Sequence, residues 1–113
     1  MEHYYDKNNN AFILISPEYG SGWSTWNEDI DQETGEKYTI ARDKRIVEKF
    51  LEQPHVTGRE MEEFLKSLGY NVYMGGYDNL TIAKIPKGHQ FIIDDYDGYE
   101  EIEDLTANPL PTA

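Results

Sequence analysis

The sequence predicts an α+β domain: an N-terminal strand, a two-helix hairpin, then an antiparallel β-meander packed on the helices. Three observations carry this. A short apolar run stands near the start. Two stretches repeat their apolar residues at helical spacing, and the second half alternates β-forming runs with glycine and proline turns.

The first ten residues are polar, and Asn8-Asn9-Asn10 marks a loop. Ala11–Ser16 is a continuous apolar run stopped by Pro17, short and sharply bounded as a buried strand is. Residues 17–36, with Pro17, three glycines and many acids, read as loop, and Asp31–Gly35 within them as a turn. Lys37–Ile40 is expected to add a short edge strand. Over Asp43–Gln53, Ile46, Val47, Phe50 and Leu51 form one helical stripe, ended by Pro54. Thr57 and Glu60 have capping-box spacing before a second stripe of Met61, Phe64, Leu65 and Leu68, which Gly69 stops as a C′ residue. The expected strands then follow: Tyr70–Met74 before Gly75-Gly76, Leu80–Ile85 before Pro86-Lys87-Gly88, and Gln90–Asp94. Asp97-Gly98, a strong hairpin signal, leads to Tyr99–Glu103. One domain over residues 1–105 with a flexible tail over 106–113 is expected.

The chain has 113 residues, one domain's worth, with a formal net charge of −12. Its overall field repels phosphate, so direct nucleic-acid binding is not expected. With no cysteine, disulfides, thiolate nucleophiles and Cys-ligated metals are excluded. No apolar run approaches the roughly 20 residues of a membrane span, and the N-terminus lacks a signal-peptide pattern. A cytoplasmic protein without membrane contact is the expectation.

Two places offer chemistry. The loop Tyr19, Gly20, Gly22, Trp23, Ser24, Thr25, Trp26 and Asn27 combines indoles, hydroxyls and an amide with glycines that permit close approach. With Gly75, Gly76 and Asp78 it could seat a planar, nucleotide-like ligand; alternatively the indoles simply cover the core. Asp94, Asp95, Asp97, Glu100, Glu101, Glu103 and Asp104 crowd the C-terminal hairpin without one Lys or Arg. They read as a solvated edge, as a surface for a basic protein partner, or as a divalent-cation site. The acids between Asn27 and Glu33 fail as an EF-hand: Thr34 stands at the glycine position and Ile40 at the bidentate glutamate. His3, His55 and His89 are scattered, and no nucleophile-elbow motif surrounds Ser24. No metal site, cofactor or catalytic residue is assigned.

Several motifs resemble a family of small proteins of bacteria and their phages. The likeness rests on Gly20-Ser21-Gly22-Trp23-Ser24-Thr25-Trp26-Asn27, Arg45-Ile46-Val47-Glu48, Gly69-Tyr70 and Tyr73-x-Gly75-Gly76. It continues through Asp78-x-Leu80-Thr81-Ile82, Ile85-Pro86-x-Gly88-x-x-Phe91-x-Ile93 and Tyr96-Asp97-Gly98-x-Glu100. It spans roughly residues 11–103, with Asp95 and Ala83-Lys84 as departures. The family has no established activity, so the resemblance implies a cytoplasmic accessory protein, often carried on mobile elements, and transfers no catalytic residue. The functional expectation is a non-enzymatic regulatory binding protein whose acidic sheet edge meets a basic surface; the alternative is a small-ligand binder built on the Trp23/Trp26 loop and Gly75-Gly76.

Overall fold

The computed structural model describes residues 2–17, 22–27, 29–31, 33–54, 58–71 and 80–107. Within them the elements run β1 (Asn10–Ile15), a 3-10 turn (Thr25–Asn27), α1 (Thr39–Arg42), α2 (Lys44–Glu52), α3 (Gly58–Ser67), β2 (Thr81–Pro86), β3 (Phe91–Tyr96) and β4 (Tyr99–Asp104). This is an α+β architecture with an N-terminal strand, helices and antiparallel strand pairs.

The strands form two separate pairs. β2 returns to β1, with Ala11 opposite Ile85 and Leu14 opposite Ile82, while β3 and β4 make their own hairpin. The reason lies in β1. Ile13, Leu14 and Ile15 are all buried, so both faces of this strand are covered and its edge takes the apolar partner β2. The hairpin is joined to β1 through an isolated bridge between Pro17 and Tyr99.

Both helical stripes pack as their spacing predicts, with one exception. Ile46, Val47, Met61 and Leu65 are fully buried and Phe50, Phe64 and Leu68 border the core, but Leu51 is 41% exposed. It stands at the rim of a stripe wider than the surface it covers. Asp43 is the N-cap of α2 and accepts from the Arg45 amide at 2.9 Å. Its buried carboxylate also takes the Arg45 guanidinium at 2.7 Å and the Tyr70 hydroxyl at 2.8 Å. Burial pushes the Asp43 pKa up, but these bonds outweigh it and hold the carboxyl below its usual range. Burial and then the Asp43 carboxylate raise the pKa of Tyr70, which stays a donor. At the end of α3, Gly69 takes φ 93°, and the Tyr70 amide reaches back to the Leu65 carbonyl at 3.0 Å, closing a Schellman motif. Thr57 of the capping box lies outside the described residues, as do residues 72–74 of the strand expected over Tyr70–Met74, whose first two residues are not in a strand.

The expected edge strand at Lys37–Ile40 is instead a single bridge from Lys37 to Ile30, followed by the turn of α1. Asp29 decides this. It accepts from the Ile40 amide at 2.9 Å and from the Thr39 hydroxyl, capping α1 from a distant segment and turning Ile40 and Ala41 into the core. The Asp31–Gly35 turn forms as read, with Gly35 at φ 73° and its amide on the Asp31 carbonyl at 2.7 Å.

Candidate functional site

The two-residue turn Asp97-Gly98 sets the geometry of the hairpin. Both residues have positive φ, 49° and 88°, which a type I′ turn demands, and Tyr96 faces Tyr99 across it. The register then pairs Asp95 with Glu100, Asp94 with Glu101, Ile93 with Ile102 and Ile92 with Glu103. Because strand side chains alternate, Phe91, Ile93, Asp95, Glu100, Ile102 and Asp104 share one face, and Ile93 marks it as the core side.

Glu100 is therefore not part of an exposed acidic edge. It is fully buried. One carboxylate oxygen accepts from the Ser16 amide at 2.9 Å; the other accepts from the amides of Trp23 (3.3 Å) and Thr25 (2.8 Å) and from the Thr25 hydroxyl (2.7 Å). The Glu100 amide in turn donates to the Ser16 carbonyl at 2.8 Å. Buried loop amides need acceptors, and an acceptor-only carboxylate from β4 supplies them.

This staple shapes the tryptophan loop. Trp23 is fully buried in the core, whereas Trp26 is 39% exposed. The Trp26 ring lies on Gly22, where a Cβ would come within 2.1 Å of it, and its indole N–H donates to Asp95 Oδ2 at 3.2 Å. The other Asp95 oxygen accepts from the Gly98 amide at 2.8 Å, so Asp95 braces the turn and the indole together. The Asn27 amide donates to the Trp23 carbonyl at 2.7 Å. Ser24 and Thr25 line a cavity of about 240 Å³ with Asp29, Ile30, Lys37, Tyr38 and Ile93, and neither indole lines it. Tyr19, Gly20, Gly75, Gly76 and Asp78 lie outside the described residues.

The outward face of the hairpin is where the acids gather. Asp94 and Glu101 stand directly opposite each other and are exposed, Glu103 sits diagonally from Asp94, and Tyr96 is 74% exposed beside them. Glu103's hydrogen bond with Asp94, then burial and charge repulsion, raise its pKa, so the fold holds that proton more tightly than a free glutamate would. Asp97 occupies the turn itself. Asp104 faces elsewhere: the Ala107 amide and the His89 ring at 2.8 Å hold its pKa down. The Thr106 hydroxyl accepts from the Gln90 amide at 2.8 Å, at the open end of the hairpin.

A second cluster joins segments far apart in sequence. Lys37, Tyr38, Arg42, His89, Gln90, Phe91 and Leu105 line a cavity of about 380 Å³. No periodicity or motif signals it, because its basic groups come from two segments far apart in sequence, 37–42 and His89.

Among the described residues, no group of three or more His, Asp or Glu is placed to share a metal ion, and no helix is long and apolar enough to cross a membrane. Comparison with protein-family models, curated proteins and solved structures finds no match.

Proposed function

We propose that this chain is a small cytoplasmic accessory protein, of the bacterial or phage type its motifs resemble, that acts by docking a basic segment of another protein on the outward face of the β3–β4 hairpin. The observation that carries this reading is the opposition of Asp94 and Glu101, with Glu103 hydrogen-bonded to Asp94 and no Lys, Arg or His among the β3 and β4 residues of that face. Like charges directly opposite across a strand pair destabilise a hairpin. A cationic partner would relieve that repulsion, and the exposed Tyr96 ring beside it offers a surface over which a lysine or arginine can stack.

The test is capture at low salt with the wild-type chain and with Asp94→Asn/Glu101→Gln/Glu103→Gln side by side. The reading expects basic proteins retained by the wild type, lost with the triple variant, and released as salt shortens the screening length to about 8 Å and below. Capture that is equal for both proteins, or indifferent to salt, would refute it.

A further inference from the structure

We infer that the cavity lined by Tyr38, Arg42 and Phe91 is a binding site for a small organic anion, one with an oxyanionic head and a flat apolar body. Three nitrogen bases line it, Lys37, Arg42 and His89, and no carboxylate does. Carboxylates stand behind two of these groups, Glu36 at 3.7 Å from the Arg42 guanidinium and Asp104 at 2.8 Å from the His89 ring, so the lining itself presents nitrogen donors while its counter-charges lie outside it.

The polar end of the site is partly prepared. The Arg42 guanidinium contacts the His3 ring at 3.1 Å and Glu36 at 3.7 Å, while its buried Nε has no hydrogen-bond partner among the described residues. A buried donor without an acceptor is unfavourable unless something else satisfies it. His89 commits Nδ1 to Asp104, which leaves Nε2 for a ligand. Lys37 is exposed and contributes an ammonium.

The apolar end is built from packed rings. The rings of Tyr38 and Phe91 lie 5.8 Å apart at 32°, and the Arg42 guanidinium stands 5.3 Å over Phe91. Tyr38 has φ 62°, an uncommon conformation for a bulky residue, and is held there by two bonds. Its amide donates to the Asp29 carbonyl at 2.7 Å and its hydroxyl accepts from the Ile93 amide at 3.3 Å. Backbone strain of this kind, over-determined by its surroundings, clusters at ligand clamps. The volume, about 380 Å³, lies at the small end of ligand pockets. This site is independent of the acidic face, since Phe91 lies on the opposite side of the hairpin from Asp94.

Amide NMR titrations with AMP, benzoate, inorganic phosphate and adenosine test the assignment. AMP or benzoate should shift the resonances of Lys37, Tyr38, Arg42, Gln90 and Phe91 saturably, with Kd of about 1 mM or tighter. Phosphate should bind at least about tenfold more weakly for want of a ring, and adenosine should not bind for want of an anion. Lys37→Ala, an exposed change, and Arg42→Lys, which keeps charge but loses the planar fork, should each weaken binding by about three- to tenfold. Unchanged folded spectra in both variants confirm that the loss is local. Absence of saturation by both AMP and benzoate, equal binding of phosphate or adenosine, or shifts that map elsewhere would overturn the proposal.

Discussion

Glu100 Oε2 holds Thr25 twice, accepting from its amide at 2.8 Å and its hydroxyl at 2.7 Å, although 75 residues separate the two. The carboxylate is the common acceptor for the amides of Ser16, Trp23 and Thr25. Glu100→Gln places an NH₂ among donors, and should destabilise the fold by about 3 kcal/mol, since each buried donor left without an acceptor costs about 1–3 kcal/mol. Thr25→Val should cost about 1 kcal/mol, the value of one hydrogen bond. Urea denaturation measures both; a neutral Glu100→Gln would show that water replaces the carboxylate.

Gly22 and Trp26 should be energetically coupled. Gly22→Ala forces the indole off its seat, breaks the bond to Asp95, and should cost about 1–3 kcal/mol, the usual penalty of overpacking. In the Trp26→Ala background the same change should cost little, so a double-mutant cycle reads the contact directly. Acrylamide should quench Trp26 and spare Trp23 in the wild-type protein, because only Trp26 is exposed.

The helix stripes were legible from spacing alone, as were the Asp31–Gly35, Lys87-Gly88 and Asp97-Gly98 turns, because local backbone chemistry determines them. The inward face of the hairpin was legible in principle. A two-residue turn at Asp97-Gly98 fixes Asp95 opposite Glu100, and the apolar pair Ile93–Ile102 on the same parity assigns that face to the core. Reading the acids as one cluster by composition missed this alternation and put Glu100 outside. The helical turn at Thr39 was not legible, since its cap, Asp29, comes from ten residues upstream rather than from the N-cap position. Nor was the Arg42–His89 cavity, which exists only once the hairpin packs beside α1.

Leu65→Ala should lose about 2–5 kcal/mol, as buried leucines do. Leu51→Ala, from the same kind of stripe but 41% exposed, should lose less than about 1 kcal/mol. Chemical denaturation that ranks them the other way would contradict the packing of α2 and α3.

Acidification should act in two opposite stages. The raised pKa of Glu103 means the native state binds that proton more tightly than the unfolded chain. Stability should therefore rise as pH falls from neutrality through that pKa towards about 4.3, the unfolded glutamate value. The lowered pKa of Asp43 has the contrary sign: its contribution is complete above about 3.9 and is lost as pH falls through the native value. Melting temperatures across this range should show a shallow maximum in mild acid. Glu103→Gln should remove the rise, and Asp43→Asn should flatten the fall.

Glu101→Lys should separate stability from docking. It sets a cation opposite Asp94, worth about 0.2–1 kcal/mol in a cross-strand pair. It should raise the melting temperature while weakening capture of a basic partner; a change of both in the same direction would argue against the docking face.

The staple from Ser16 to Glu100 also has a consequence for biosynthesis. Its two ends are 84 residues apart, so at about 5–20 residues per second the ribosome needs roughly 4–17 s to make the second after the first. For most of that interval the greasy segment Ile13–Ile15 has been made without its sheet partner, Thr81–Pro86, and for all of it without the carboxylate that fastens its end. A chain that stops before Glu100 lacks this fastening, and should be cleared by proteases faster than the full-length protein.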